Sequence, residues 1–117
     1  MKQQNYEENQ VVPAIVAVNI AAMMVDDYVV DILMRDLVGH DHQPTSFLVY
    51  VWLSYEAART RRERVSVSYQ TIADAVGVSK SAAQTSVRWL LRRKLVEVKK
   101  NSPTAVPTYR ILHPWRD

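Results

Sequence analysis

The sequence predicts a mainly α-helical domain that closes with a small β-hairpin, and three observations carry that expectation. Residues 69–98, YQTIADAVGVSKSAAQTSVRWLLRRKLVEV, hold two short helical patterns around a glycine and run into a β-branched strand. Residues 47–53, FLVYVWL, are seven apolar residues in succession inside a helical window, so that helix is predicted to be buried on more than one face. Two β-prone runs, 95–101 and 108–112, flank a loop containing Pro103 and Pro107, which reads as a stiff hairpin.

From the amino terminus, residues 1–10 are polar and are predicted to form a disordered tail. The apolar run 14–24 mixes Val and Ile with Ala and Met, so periodicity leaves helix and strand both open. Asp26 or Asp27 is placed to cap an amphipathic helix with the stripe Val30, Leu33, Met34, Leu37 and Val38, which Gly39 is placed to close. Pro44 suits the first turn of the next helix, about 44–60, because its missing N–H has no helical acceptor there. A basic loop and a short strand, Arg64 to Val67, follow. Ser68 and Ser79 are each positioned to cap a helix; Gly77 can adopt the left-handed conformation that ends the first, and Val78 plugs the corner. Ile72, Ala73 and Val76 face inward on the first of these helices, and Ala83, Val87, Leu90 and Leu91 on the second. Ala73 suits a close crossing of two helix backbones. Trp115 is predicted to pack back on the core. The resulting plan is a tail over 1–10, a packing or dimerisation segment over 11–43 and a main domain over 44–117.

Charge is divided along the chain. The net charge is +3, yet residues 1–58 carry two basic and eight acidic side chains, whereas residues 59–117 carry thirteen basic and four acidic ones. A split of this kind points to a polyanion meeting one end of the molecule. With no cysteine, disulfides, thiolate metal sites and a cysteine nucleophile are excluded, and a cytoplasmic location is expected. The apolar stretch 11–25 falls short of the ~20 residues a bilayer-spanning helix needs, so no membrane association is expected.

Residues 44–115 resemble the winged helix-turn-helix domains of bacterial and phage DNA-binding regulators and of phage or plasmid replication proteins. The segments that carry the resemblance are FLVYVWLSY, SVSYQTIADAVGVS, SKSAAQTSVRWLLRRKLVEV and PTYRILHPW. It implies a three-helix core plus a hairpin wing, here with an added N-terminal amphipathic helix. It further implies binding of double-stranded DNA through a recognition helix over about 79–93, most simply by a transcription regulator. A replication-initiation module and a protein–protein adaptor on the same fold are the alternatives. Two departures from the family pattern carry expectations of their own. Lys94 stands where a glycine is usual, predicting a strained or altered turn. Ala82 and Ala83 replace larger residues, predicting a looser helix that binds more through phosphates than through bases.

In a major groove, the outward face of that helix would present Ser79, Lys80, Ser81, Gln84, Thr85 and Arg88, with Lys99 and Lys100 at the wing tip. Gln pairs with adenine, Ser and Thr donate or accept, and Lys and Arg reach guanine or phosphate. Arg92 and Arg93 also suit a helix C-terminus on dipole grounds alone. The cluster Arg59, Arg61, Arg62, Arg64 reads equally as a phosphate clamp or a solubilising loop. His40, Asp41 and His42 are adjacent on a turn and seldom converge on one ion, so no metal is expected. Nor is a catalytic residue, cofactor or small-molecule ligand, since with two glycines in the chain a glycine-rich phosphate loop is ruled out. The apolar surface offered by 14–24 and 28–38 predicts a homodimer.

Overall fold

The computed structural model describes residues 25–116. The first helix, α1, covers 27–40 and is wound mostly as two π-helical stretches, Val29–Leu33 and Arg35–His40. π-Winding bonds residue i to i+5 and takes more residues per turn than an α-helix. The buried positions are accordingly Val29, Leu33 and Leu37, one in every four. This corrects the expected stripe: Leu33 and Leu37 face inward, Val29 takes the place of Val30, and Val30, Met34 and Val38 are turned outward. Two further corrections follow from the ends of α1. Asp26 does not cap it by its side chain; the carboxylate accepts instead from Trp115 Nε1 at 2.7 Å and from Arg116. The helix also runs through Gly39 to His40, and the left-handed residue of the connection is His42, at φ 56°.

Helix α2, Pro44–Thr60, begins with the proline at its first position and buries Ser46, Val49, Tyr50 and Leu53. It packs against α1 and three later elements: helix α3 (Tyr69–Val76), helix α4 (Lys80–Arg92) and a small sheet. The burial of α2 on several sides is therefore as predicted, with Leu48 and Tyr55 the exposed exceptions. The Tyr50 hydroxyl donates to the Leu112 carbonyl at 2.8 Å and ties α2 to the carboxyl-terminal segment. Trp115 does pack back: it stacks on Tyr28 at 4.6 Å and meets Tyr50 edge-on at 6.4 Å.

The sheet has three antiparallel strands, β1 (Arg64–Ser66), β2 (Val96–Lys99) and β3 (Thr108–Ile111), in the order β1–β3–β2. The hairpin β2–β3 is the one read from sequence. What the periodicity did not show is that β1 joins it, with Val65 opposite Tyr109 and Ser66 opposite Thr108. Alternation places Val65, Val96, Tyr109 and Ile111 inward, where they complete one apolar core with Val29, Leu33 and Leu37 of α1 and the buried faces of α2, α3 and α4.

Helix α4 ends without glycine. The Lys94 N–H returns to the Leu91 carbonyl and that of Leu95 to Leu90, which requires Lys94 to take φ 58°. The strained turn expected from the missing glycine is present, and a Cβ in the left-handed region is unfavourable. Lys94→Gly should therefore stabilise the domain by about 1 kcal/mol, a rise in Tm of about 4 °C by calorimetry.

Candidate nucleic-acid interface

The interface candidate starts with a corner. Ser68 accepts the Thr71 N–H at 3.1 Å and so caps α3; Gly77, at φ 87°, then reverses the chain. The Gly77 and Val78 N–H groups both return to the Ala73 carbonyl, at 2.8 and 3.0 Å. Val78 is half-buried against the core, as a plug at the corner would be. Ser79 accepts the Ala82 N–H at 3.1 Å and caps α4. Ala73 and Ala83 are both fully buried. Ala83, one of the two alanines from which a looser seat was predicted, thus lies wholly inside the core. Ser86 is buried with Val87 and Leu90, whereas Leu91, expected inside, is exposed.

The opposite face of α4 is polar. Lys80, Ser81, Thr85 and Arg88 are exposed and follow one another at helical spacing, while Gln84 is half-buried between them. The Ser79 hydroxyl is engaged twice, with the Ala82 N–H and with the Ser81 hydroxyl at 3.2 Å, so its first role is structural. Lys99 and Lys100 are exposed together at the end of β2, next to the loop 100–107. The predicted residues thus fall into two groups, a strip on α4 and a pair at the hairpin tip. Lys80, Arg88, Lys99 and Lys100 form no salt bridge among the described residues.

The basic loop divides. Arg59 is held by Glu56 through two hydrogen bonds, at 3.1 and 2.7 Å, which hold its pKa above the ordinary value. Arg61 sits in the left-handed cap of α2 at φ 54°. Register puts Arg64 beside Arg110 and Glu97, and Ser66 beside Thr108 and Lys99, so Arg64 lies two residues farther from the hairpin tip than Lys99. Arg62 lines an open groove of about 330 Å³ with Arg110, His113 and Arg116, at the end of the sheet remote from the tip. Residues 59–62 therefore do not extend the tip group.

One structural arrangement beside the candidate interface escaped the sequence reading. Asp41, in the turn after α1, is nearly enclosed, its side chain 6% exposed. It accepts from Trp89 Nε1 at 2.8 Å and from Arg93, while His40 Nδ1 lies 2.9 Å from its other oxygen. Arg93 also reaches Asp36 at 3.3 Å. The C-terminal turn of α4 is thus clamped to α1, and Arg93 belongs to this clamp rather than to the exposed strip. Arg92 instead lies over the Trp89 ring at 5.1 Å. The only sequence signal was the opposite charge of the two segments. Asp41 spends its carboxylate on this clamp, and the described residues hold no cluster of three metal-ligating side chains.

No described helix is long and apolar enough to cross a membrane. Comparison with family models, curated proteins and solved structures yields no match for this chain.

Burial alone would raise the Asp41 pKa, but hydrogen bonds from His40, Trp89 and Arg93, with the Arg93 charge, outweigh it and hold the carboxyl below its ordinary 3.8. At Asp26 the Arg116 and Trp115 hydrogen bonds lower the pKa to about 2. For a depressed pKa, the stabilisation is complete above the unfolded-state value and is lost as pH falls through the folded-state value. Urea unfolding should accordingly show stability declining from pH 4 toward pH 2. Asp41→Asn should flatten that decline and cost about 1–2 kcal/mol at pH 7, because Arg93 and Trp89 lose a charged acceptor.

Proposed function

We propose that this chain is a winged helix-turn-helix protein that binds double-stranded DNA, with α4 in the major groove and the β2–β3 loop as a wing on the adjacent backbone. The order α2, β1, α3, turn, α4, β2, β3 and the strand order β1–β3–β2 support the fold reading. The observation that carries the function is the strip Lys80, Ser81, Thr85, Arg88 on α4: exposed, free of carboxylate partners among the described residues, and running from the first turn of a helix capped at Ser79. A solvated helix face in an otherwise acid-bearing protein would be expected to pair some of these cations; here Asp26, Asp36 and Asp41 are engaged elsewhere, by Arg93 and Arg116.

In this reading Lys80 and Arg88 reach phosphate or guanine, and Ser81 and Thr85 touch base edges or phosphate oxygens. Gln84, half-buried, reads a base by extending from beneath its neighbours. Lys99 and Lys100 contact backbone phosphates beside the groove. A regulator of transcription is the simplest protein of this kind.

Four to six phosphate contacts per protomer would give a slope of log K against log salt of about −4 to −5. Arg88→Ala together with Gln84→Ala should abolish preference among sequences selected from a random DNA pool. Lys99→Ala should weaken all sequences alike and reduce the slope by about one. Fluorescence anisotropy across a salt series reads both effects. Identical behaviour of the two variants would refute the geometry, and absence of binding to mixed genomic DNA at low salt would refute the function.

A further inference from the structure

The π-winding of α1 leaves a second apolar row beside the buried one. Val30 is 53% exposed, Met34 37% and Val38 39%, and they recur at the same four-residue interval as Val29, Leu33 and Leu37. The core row occupies one side of the helix, so this outer row lies next to it and is exposed among the described residues. An apolar row of this regularity on an exposed helix marks a contact surface.

The next row around the helix says what covers it. It carries Asp27, Asp31, Arg35 and Gly39, again at intervals of four. Neither Asp31 nor Arg35 forms a salt bridge among the described residues, although both are exposed. Read in reverse, this row is complementary to itself. When two α1 helices pack antiparallel, Asp31 faces Arg35 of the other copy and Arg35 faces its Asp31, while Asp27 meets Gly39. A side-chain carbon added at Gly39 would find nothing within 4 Å, so that position is open to a neighbour's side chain. Parallel packing on the apolar row would put the charged rows of the two copies on opposite sides of the contact, where Asp31 and Arg35 gain no partner from each other.

We infer that the row Val30, Met34, Val38 is an isologous interface, at which two copies of this chain pair α1 antiparallel about a two-fold axis near Met34, bracketed by reciprocal Asp31–Arg35 ion pairs. A two-fold contact requires a self-complementary patch, and both rows have that property. The interface is small, so the dimer forms and dissociates in the micromolar range. The inference stands apart from the proposed DNA binding, because it concerns the protein alone.

Sedimentation velocity of the full chain without DNA tests it. A concentration-dependent dimer is expected, reduced to monomer by Met34→Glu. Asp31→Arg and Arg35→Asp should each raise the dissociation constant about tenfold, since each replaces two attractive pairs by two repulsive ones. The double reversal should restore it. Circular dichroism and the thermal midpoint of each variant establish that the fold is kept; the two charged positions are exposed and unpaired within the chain. A monomer at every concentration overturns the inference and leaves the row to residues 11–24 or to a different protein. A dimer indifferent to these variants, or one that the double reversal fails to restore, overturns it equally by placing the contact elsewhere.

Discussion

The structure depends on one constraint, the burial of α2 from several directions at once. A helix whose apolar residues cover every side of two turns has no face to give to water, so each side needs its own cover. The chain supplies it with α1 on one side, α3 and α4 on others, and the inner face of the sheet between. In a domain of this size, few elements can be spared from such a task. The paired strands bring Val65, Tyr109 and Val96 to the same core that Ile72, Val87 and Leu90 reach from α3 and α4. Because α2 fixes the inner faces of α3 and α4, it also fixes which residues of α4 point away from the protein. The orientation of Lys80, Thr85 and Arg88 is thus a consequence of packing two layers beneath them.

A second constraint acts on α4 from its far end. Its N-terminus is set by Ser79 and the Gly77 corner, both local devices. Its C-terminus is set from a distance, by Asp41 and Asp36 of the α1 region holding Arg93 and Trp89. A helix pinned at both ends is preorganised, and preorganised contacts lose less entropy when a partner is bound. Lys94 shows that the geometry of this end is over-determined. The surrounding hydrogen bonds hold a non-glycine residue at φ 58°, a conformation it would not choose alone.

The sequence made legible whatever rests on local chemistry. Pro44, Ser68, Gly77 and Ser79 each act within one turn of their own position, and each does in the structure what its residue type requires. The helical spacing of Ala83, Val87 and Leu90 likewise survives into the fold. What was not legible depended on winding or on distance. The stripe on α1 was drawn for 3.6 residues per turn, and no feature of VVDILMRDLVGH announces a π-helix. Asp26 was read as a cap because its partners Trp115 and Arg116 are 89 and 90 positions away in sequence. Pairing of β1 with β3 and the Asp41 clamp are of the same kind, contacts between segments that nothing in either segment names. At the candidate interface, residue types and exposure were foreseen for Lys80, Ser81, Thr85 and Arg88. The half-burial of Gln84 and the partners of Arg93, Asp36 and Asp41, were not.

Charge is sorted in space as well as along the chain, and the sorting has a physical economy. Three of the five acidic residues of the α1 region, Asp26, Asp36 and Asp41, take the two arginines Arg93 and Arg116. These pairs knit the two halves together and at the same time withdraw their own charges from the long-range field. Arg59 and Arg110 are similarly matched by Glu56 and Glu97. The cations without a carboxylate partner among the described residues include Lys80 and Arg88 on α4 and Lys99 and Lys100 at the tip of the hairpin. A field made by unpaired, solvent-facing cations is the kind that releases counterions from a polyanion, whereas paired ones contribute little. The split seen in the linear sequence is therefore partly cancelled in space, at Arg93 and Arg116, while Lys80, Arg88, Lys99 and Lys100, like Arg61, Arg62 and Arg64, form no salt bridge among the described residues.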